Sequence, residues 1–299
     1  MALLIITTIL WAFSFSLIGE YLAGSVDSYF SVLMRVGLAA LVFLPFLRTR
    51  GQSPRTIVLY MLVGAMQLGI MYLLAFRAYL YLTVSEFLLF TVFTPLYITL
   101  IYDLLSGRKL RWGYLLSAAL AVLGAAIIRY EKVSDHFWTG LLLVQLSNLC
   151  FAIGMVGYKR LMEVRPMPQH NAFAWFYVGA FIVAVAAWFM LGNPQKLPTT
   201  TLQWSVLVWL GVVASGLGYF MWNYGATQVD AGTLGIMNNV HVPAGLLVNL
   251  AIWQEQPHWP SFISGALVIL ASLWVHRRWV APHSGQTADD RRRGSAQSE

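Results

Sequence analysis

The feature that most constrains this chain is a succession of apolar runs, each about 20 residues long and separated by short polar breaks. A helix of that length crosses a hydrocarbon core roughly 30 Å thick and satisfies its own backbone where no water reaches. Charged residues make up 10% of the chain and apolar residues 59%, whereas a soluble domain carries about 25% charge. Strand-like alternation is absent, which excludes a membrane β-barrel. The expected fold class is an all-α membrane protein with ten transmembrane helices, at 2–23, 26–47, 57–79, 83–104, 111–129, 138–159, 171–192, 204–224, 231–252 and 261–276. No basic residue precedes the first run and no small-residue cleavage site follows it, so it is expected to be a retained span, not a leader.

The basic residues orient these spans. With the N-terminus inside, the cytoplasmic breaks and tail hold Arg48, Arg50, Arg55, Arg108, Lys109, Arg111, Lys159, Arg160, Arg165, Arg277, Arg278 and Arg291 to Arg293, which is 14 of 19 basic residues. The opposite side holds Arg129, Lys132 and Lys196. Positive charge collects on the cytoplasmic side of membrane proteins, so both termini are expected there. The net charge of +7 is then a topology signal in a protein whose neighbours are lipids, and it does not imply a nucleic-acid partner. Residues 281–299 are polar, carry Asp289 and Asp290 beside the three arginines, and are expected to form a disordered cytoplasmic tail.

The two halves repeat. Setting Pro95 against Pro243 brings Ala78 onto Ala226, and the runs Ser117-Ala118-Ala119-Leu120 and Ser264-Gly265-Ala266-Leu267 meet after a small gap. Trp11-Ala12 aligns weakly with Phe151-Ala152. Five spans per half is an odd number, so the second half enters the membrane from the other side. Such inverted repeats are common in secondary transporters, which bind substrate near the midplane between the halves.

The pattern of Trp11, Arg35, and Tyr72 to Ala78 running into Thr94-Pro95 resembles the drug/metabolite transporter superfamily. Tyr219, Ala226, Pro243 and Glu255 repeat it in the second half. The resemblance implies two EamA-type repeats, over 1–130 and 137–277. Tyr158-Lys159-Arg160-Leu161-Met162, Arg165 to Asn171, Met221-Trp222-Asn223-Tyr224 and Gly235 to Asn239 are most similar to members of the superfamily that import biotin across the bacterial inner membrane. An exporter of amino acids or other small metabolites on the same skeleton is the alternative. One departure is visible: the acid usual after the fourth span is Arg108 here, while Glu255 keeps it in the second half.

Biotin presents a carboxylate, a cyclic urea and an apolar ring, so its site needs a cation, amides and aromatic walls. Arg35 and Arg77 are the basic residues within spans, where an ionised group marks either a functional site or a tie between helices. Arg35 suits the carboxylate by its planar fork. Arg77 and Glu86 flank a short turn and are expected to pair and shape an outer vestibule. Asn238 and Asn239 precede Pro243, which loosens a helix, and offer both donors and acceptors to a urea; an interhelical hydrogen bond is the other reading. His241, beside them, and Glu86 are the candidates for gating or proton coupling. Trp11, Tyr72, Trp175, Tyr177, Trp222 and Asn223 complete the expected substrate site, with Gln67 and Asn148 as weaker candidates.

No cofactor or metal is implied. Val213-Ala214-Ser215-Gly216 lacks the leading glycine of an intramembrane serine-protease motif. The sequence has no His-Glu-x-x-His string and no phosphate-gripping loop, so neither metal-assisted hydrolysis nor ATP-driven transport is expected of this chain. The single Cys150 lies in an apolar run and reads as a small buried hydrophobe.

Overall fold

The first helix, α1, covers Ala2–Tyr21 in the computed structural model, which describes residues 2–105, 120, 123, 135–229, 237–238, 244–245, 247–254, 259–260, 263–264, 267–268, 270–271 and 274. Among them there is no strand. The next helix, α2 (Ser28–Phe43), starts where Asp27 accepts the backbone N–H of Phe30 at 2.9 Å. Ser53 caps α3 (Pro54–Ala78), with Pro54 at the position where a missing N–H costs nothing. Thr83 and Glu86 close a capping box at the start of α4 (Val84–Thr91). After a two-residue break, α5 (Thr94–Leu105) follows, then α6 (Asp135–Val164) and α7 (Gln169–Leu191). A second capping box, Thr200 with Gln203, opens α8 (Thr201–Thr227).

Seven helical stretches among the described residues are long and apolar enough to cross a membrane. Their outward faces carry what a soluble protein would bury: Phe189 is 82% exposed, and Leu62, Leu142 and Ile182 also stand on the surface. Lipid is the solvent that tolerates such a surface.

The contacts divide the chain into two units, Met1–Pro95 with Ser134–Glu255, and Leu96–Val133 with Gln256–Glu299. In the first unit, α7 packs against α2 and α3, α6 against α3, and α1 against α8. Two glycines set the closest of these crossings. A Cβ on Gly64 would fall 1.8 Å from the carbonyl oxygen of Phe176, and one on Gly179 would fall 1.9 Å from that of Met61. The α3 and α7 backbones thus meet through a pair of residues without side chains, the usual device for helix association in lipid. In the second unit the described residues are helical, and Leu267, Leu270 and Trp274 are exposed.

Two helices of the first unit loosen in the middle. Ala65–Ile70 of α3 and Leu210–Leu217 of α8 wind as π-helix. The first ends eight residues before Ala78 and the second nine before Ala226, so the two irregularities occupy corresponding places in the two halves as aligned on those alanines.

Candidate functional site

A π turn displaces carbonyls from the regular ladder, and in lipid each needs another donor. In α8 two neighbouring side chains supply them. Trp11 of α1 donates from Nε1 to the Ala214 carbonyl at 3.0 Å, and Tyr177 of α7 donates to the carbonyls of Ser215 at 2.6 Å and Gly216 at 3.2 Å. The backbone of Gly218, where a Cβ would stand 3.0 Å from Trp11 Nε1, leaves room for the indole. Just past the loosened segment of α3, the Ser147 hydroxyl donates to the Met71 carbonyl at 3.1 Å.

Between these loosened segments sits Arg35, 3% exposed. Its Nε donates to Ser215 Oγ at 3.0 Å and its Nη2 to the Tyr72 hydroxyl at 2.9 Å. The guanidinium carbon stands 4.2 Å from the centre of the Tyr72 ring and 5.6 Å from that of Phe76. Tyr72 and Ser215 are themselves 2.9 Å apart. Nη1 takes no partner among the described residues. The cluster therefore presents donors and a positive charge, and no carboxylate among the described residues balances it.

Arg35 and Tyr72 belong to the wall of a cavity that opens to the surface. Its lining is mostly apolar: Trp11, Phe15 and Ile18 from α1, Met71, Ala75 and Phe76 from α3, Phe87 from α4, Phe151 from α6 and Tyr219 from α8. Trp11 is tilted against Tyr219 and Trp222, with centroids 4.5 and 5.1 Å away. The polar remainder is Ser14, Tyr79, Thr91, Thr94, Ser147, Asn148 and Asn238. Asn148 donates to the Phe90 carbonyl at 2.9 Å, whereas Nδ2 of Asn238, a residue 1% exposed, has no partner among the described residues.

Of the residues singled out in the sequence, Trp11, Arg35, Tyr72, Asn148 and Asn238 line this cavity. Tyr177, Trp222 and Asn223 stand behind its wall. Tyr177 holds the π turn, Trp222 Nε1 points at the Met155 sulfur at 3.3 Å, and Asn223 exchanges two hydrogen bonds with Gln67, at 3.1 and 3.2 Å. Trp175 faces away and donates to the Arg48 carbonyl. The pairing expected of Arg77 with Glu86 is not formed among the described residues. Arg77 lies over the Tyr29 ring at 5.8 Å, and the Glu86 carboxylate accepts the Thr83 backbone N–H at 2.9 Å, because a carboxylate three residues past a threonine cap satisfies the helix start first. Asn239, His241, Arg108 and Glu255 lie outside the described residues. Ser215 and Tyr79 were not legible as site residues, since a hydroxyl in a span is ordinarily spent on its own helix.

The model of the EamA-like transporter family matches the chain twice, over residues 1–130 and 138–277. The chain belongs to the EamA-like transporter family. It is a multi-pass protein of the bacterial inner membrane. It is 83% identical, over 100% of both chains, to proteins named biotin transporter from Escherichia coli (strain K12) and Salmonella typhimurium. A protein named probable biotin transporter from Pseudomonas aeruginosa is 55% identical over 93% of this chain and 97% of its own. A crystal structure with 17% identity shares the fold, with a TM-score of 0.63 over 92% of this chain and 95% of that one.

Proposed function

We propose that this family member imports biotin across the bacterial inner membrane as a secondary transporter, by alternating access. The observation that carries the reading is Arg35: a buried cation with neutral hydroxyl partners on the wall of an aromatic cavity. Burying a charge costs several kcal/mol unless something compensates it. A small apolar acid supplies the missing anion, and its carboxylate meets the guanidinium in a charge-assisted contact. Likeness over the full chain to the biotin transporters named above selects biotin among such acids.

In this reading Trp11 and its aromatic neighbours hold the thiophane ring, and Asn238 with Asn239 addresses the urea. Tyr177, Trp222 and Asn223 act at one remove by fixing the helices that carry the wall. Arg77 and Trp175 stay part of the proposed site as residues of its outer and inner approaches, and Glu86 and His241 as those through which a proton gradient would couple. The frame is ten helices in two inverted five-helix halves, 1–130 and 137–277, with both termini and the 281–299 tail in the cytoplasm, supported by the distribution of basic residues. No catalytic step is assigned.

The test is uptake of labelled biotin by a biotin-auxotrophic strain in which this chain is the sole carrier. Accumulation above an empty-vector control is expected, and its absence defeats the reading. Loss of substrate from preloaded cells, without accumulation, marks an exporter instead.

A further inference from the structure

We infer that Tyr79 reads the substrate, its phenol donating a hydrogen bond to the carbonyl oxygen of the cyclic urea; the inference rests on the reading of this cavity as a biotin site. Tyr79 follows the last residue of α3 and lines the cavity while being 7% exposed. Its ring is stacked on Phe87, with centroids 4.3 Å apart and an angle of 18° between planes. Its hydroxyl oxygen has neither a partner among the described residues nor surface that a water molecule can touch. Other deeply buried tyrosine hydroxyls of the unit are committed: Tyr60 to the Arg165 carbonyl, Tyr72 to Arg35 and Ser215, Tyr158 to Gln169 and Tyr177 to the Ser215 carbonyl. An orphaned phenol costs stability, and phenylalanine would keep the ring stack without that cost. The oxygen has a use if its partner arrives with the substrate.

Position on the helix gives the ligand group it meets. Tyr79 stands seven residues after Tyr72, two turns along the same face, which is about 10 Å at the helical rise. Tyr72 holds the guanidinium of Arg35 at one end of that interval, and Phe76 fills the middle. A molecule with a carboxylate on a pentanoate chain and a urea on the far edge of its fused rings matches this order of cation, apolar wall and lone donor. Asn238, the second orphaned donor on the wall, adds to it, since a urea oxygen accepts two hydrogen bonds. The hydroxyl itself lies beneath the cavity surface, so this contact requires the phenol to swing toward the cavity that Tyr79 lines.

Tyr79→Phe removes one oxygen and keeps the stack. Binding of two acids to the purified full-length carrier tests it: biotin, and the tetrahydrothiophene pentanoic acid that lacks the urea ring. The variant is expected to bind biotin about five- to tenfold more weakly, the effect of one lost hydrogen bond, and the urea-free acid as the unaltered protein does. Retained binding of that second acid also reports that the variant is folded. Equal weakening of both acids overturns the inference in favour of a packing role, and unchanged or tighter biotin binding overturns it outright. Failure of the unaltered carrier to bind biotin at all sinks the biotin reading itself, a result distinct from either.

Discussion

Replacing Arg35 by lysine keeps the charge and removes the fork. In the native cluster Nε and Nη2 are anchored to Ser215 Oγ and the Tyr72 hydroxyl at 3.0 and 2.9 Å, which fixes the plane of the guanidinium and leaves Nη1 for the substrate. A lysine ammonium cannot hold both anchors and also present a flat edge above the Tyr72 ring, so one charge-assisted hydrogen bond to the carboxylate is lost. Such a bond contributes about 1.5–3 kcal/mol, and at about 1.4 kcal/mol per tenfold the apparent affinity should fall roughly 10- to 150-fold. The assay is the concentration dependence of initial biotin uptake in cells with matched amounts of carrier in the membrane, with biotin amide as competitor. The amide should compete poorly with biotin on the unaltered carrier, and the preference for the acid should narrow without vanishing on the Arg35→Lys variant, which keeps the charge. The reasoning is refuted if the amide competes as well as the acid on the unaltered carrier, whatever the variant does, because the carboxylate then meets no cation.

Three further outcomes are expected. Gly64→Ala or Gly179→Ala drives a methyl group against a backbone carbonyl and should cost about 1–3 kcal/mol, read as a lower melting temperature of the detergent-solubilised protein. Gln67→Leu or Asn223→Leu strands the opposite amide in a fully buried place at about 1–3 kcal/mol, whereas the double substitution should recover much of that loss; additive single effects in thermal unfolding contradict the pairing. Glu86→Gln keeps the capping box, since glutamine serves at that position as it does at Gln203, and should abolish the response of uptake to a protonophore; an unchanged response shows that this carboxylate does not carry the coupling proton.

What the sequence made legible followed from cost. A guanidinium, an amide or an indole inside a span is conspicuous because lipid penalises it, and Arg35, Asn238 and Trp11 stand out in the amino-acid string for that reason. Direction around the helix axis was not legible. α7 is apolar on all sides, so nothing in its sequence says that Tyr177 turns inward to the Ser215 carbonyl while Trp175, two residues earlier, reaches the Arg48 carbonyl at the helix margin. Asn223 and Gln67 look alike as lone amides, and only the fold shows that each is the other's partner. The expected Arg77–Glu86 pair overlooked a nearer claim, the backbone N–H of Thr83.

The π turns were silent in the sequence as well, yet they explain why the polar residues gather where they do. In a regular helix each carbonyl already accepts one backbone N–H, so a donor from a neighbouring helix finds few that it can reach. Where α8 loosens at Leu210–Leu217, Trp11 donates to the Ala214 carbonyl and Tyr177 to those of Ser215 and Gly216. Ser215, carried on that same turn, then holds one edge of Arg35. In α3 the loosened Ala65–Ile70 is followed at once by Met71, whose carbonyl takes the Ser147 hydroxyl, and by Tyr72, which holds the other edge of Arg35. The cation is thus suspended between two corresponding irregularities, one in each half, by hydroxyls rather than by a carboxylate. A carboxylate there would neutralise the guanidinium permanently; a pair of hydroxyls fixes its orientation and leaves its charge to be met by a ligand that can depart.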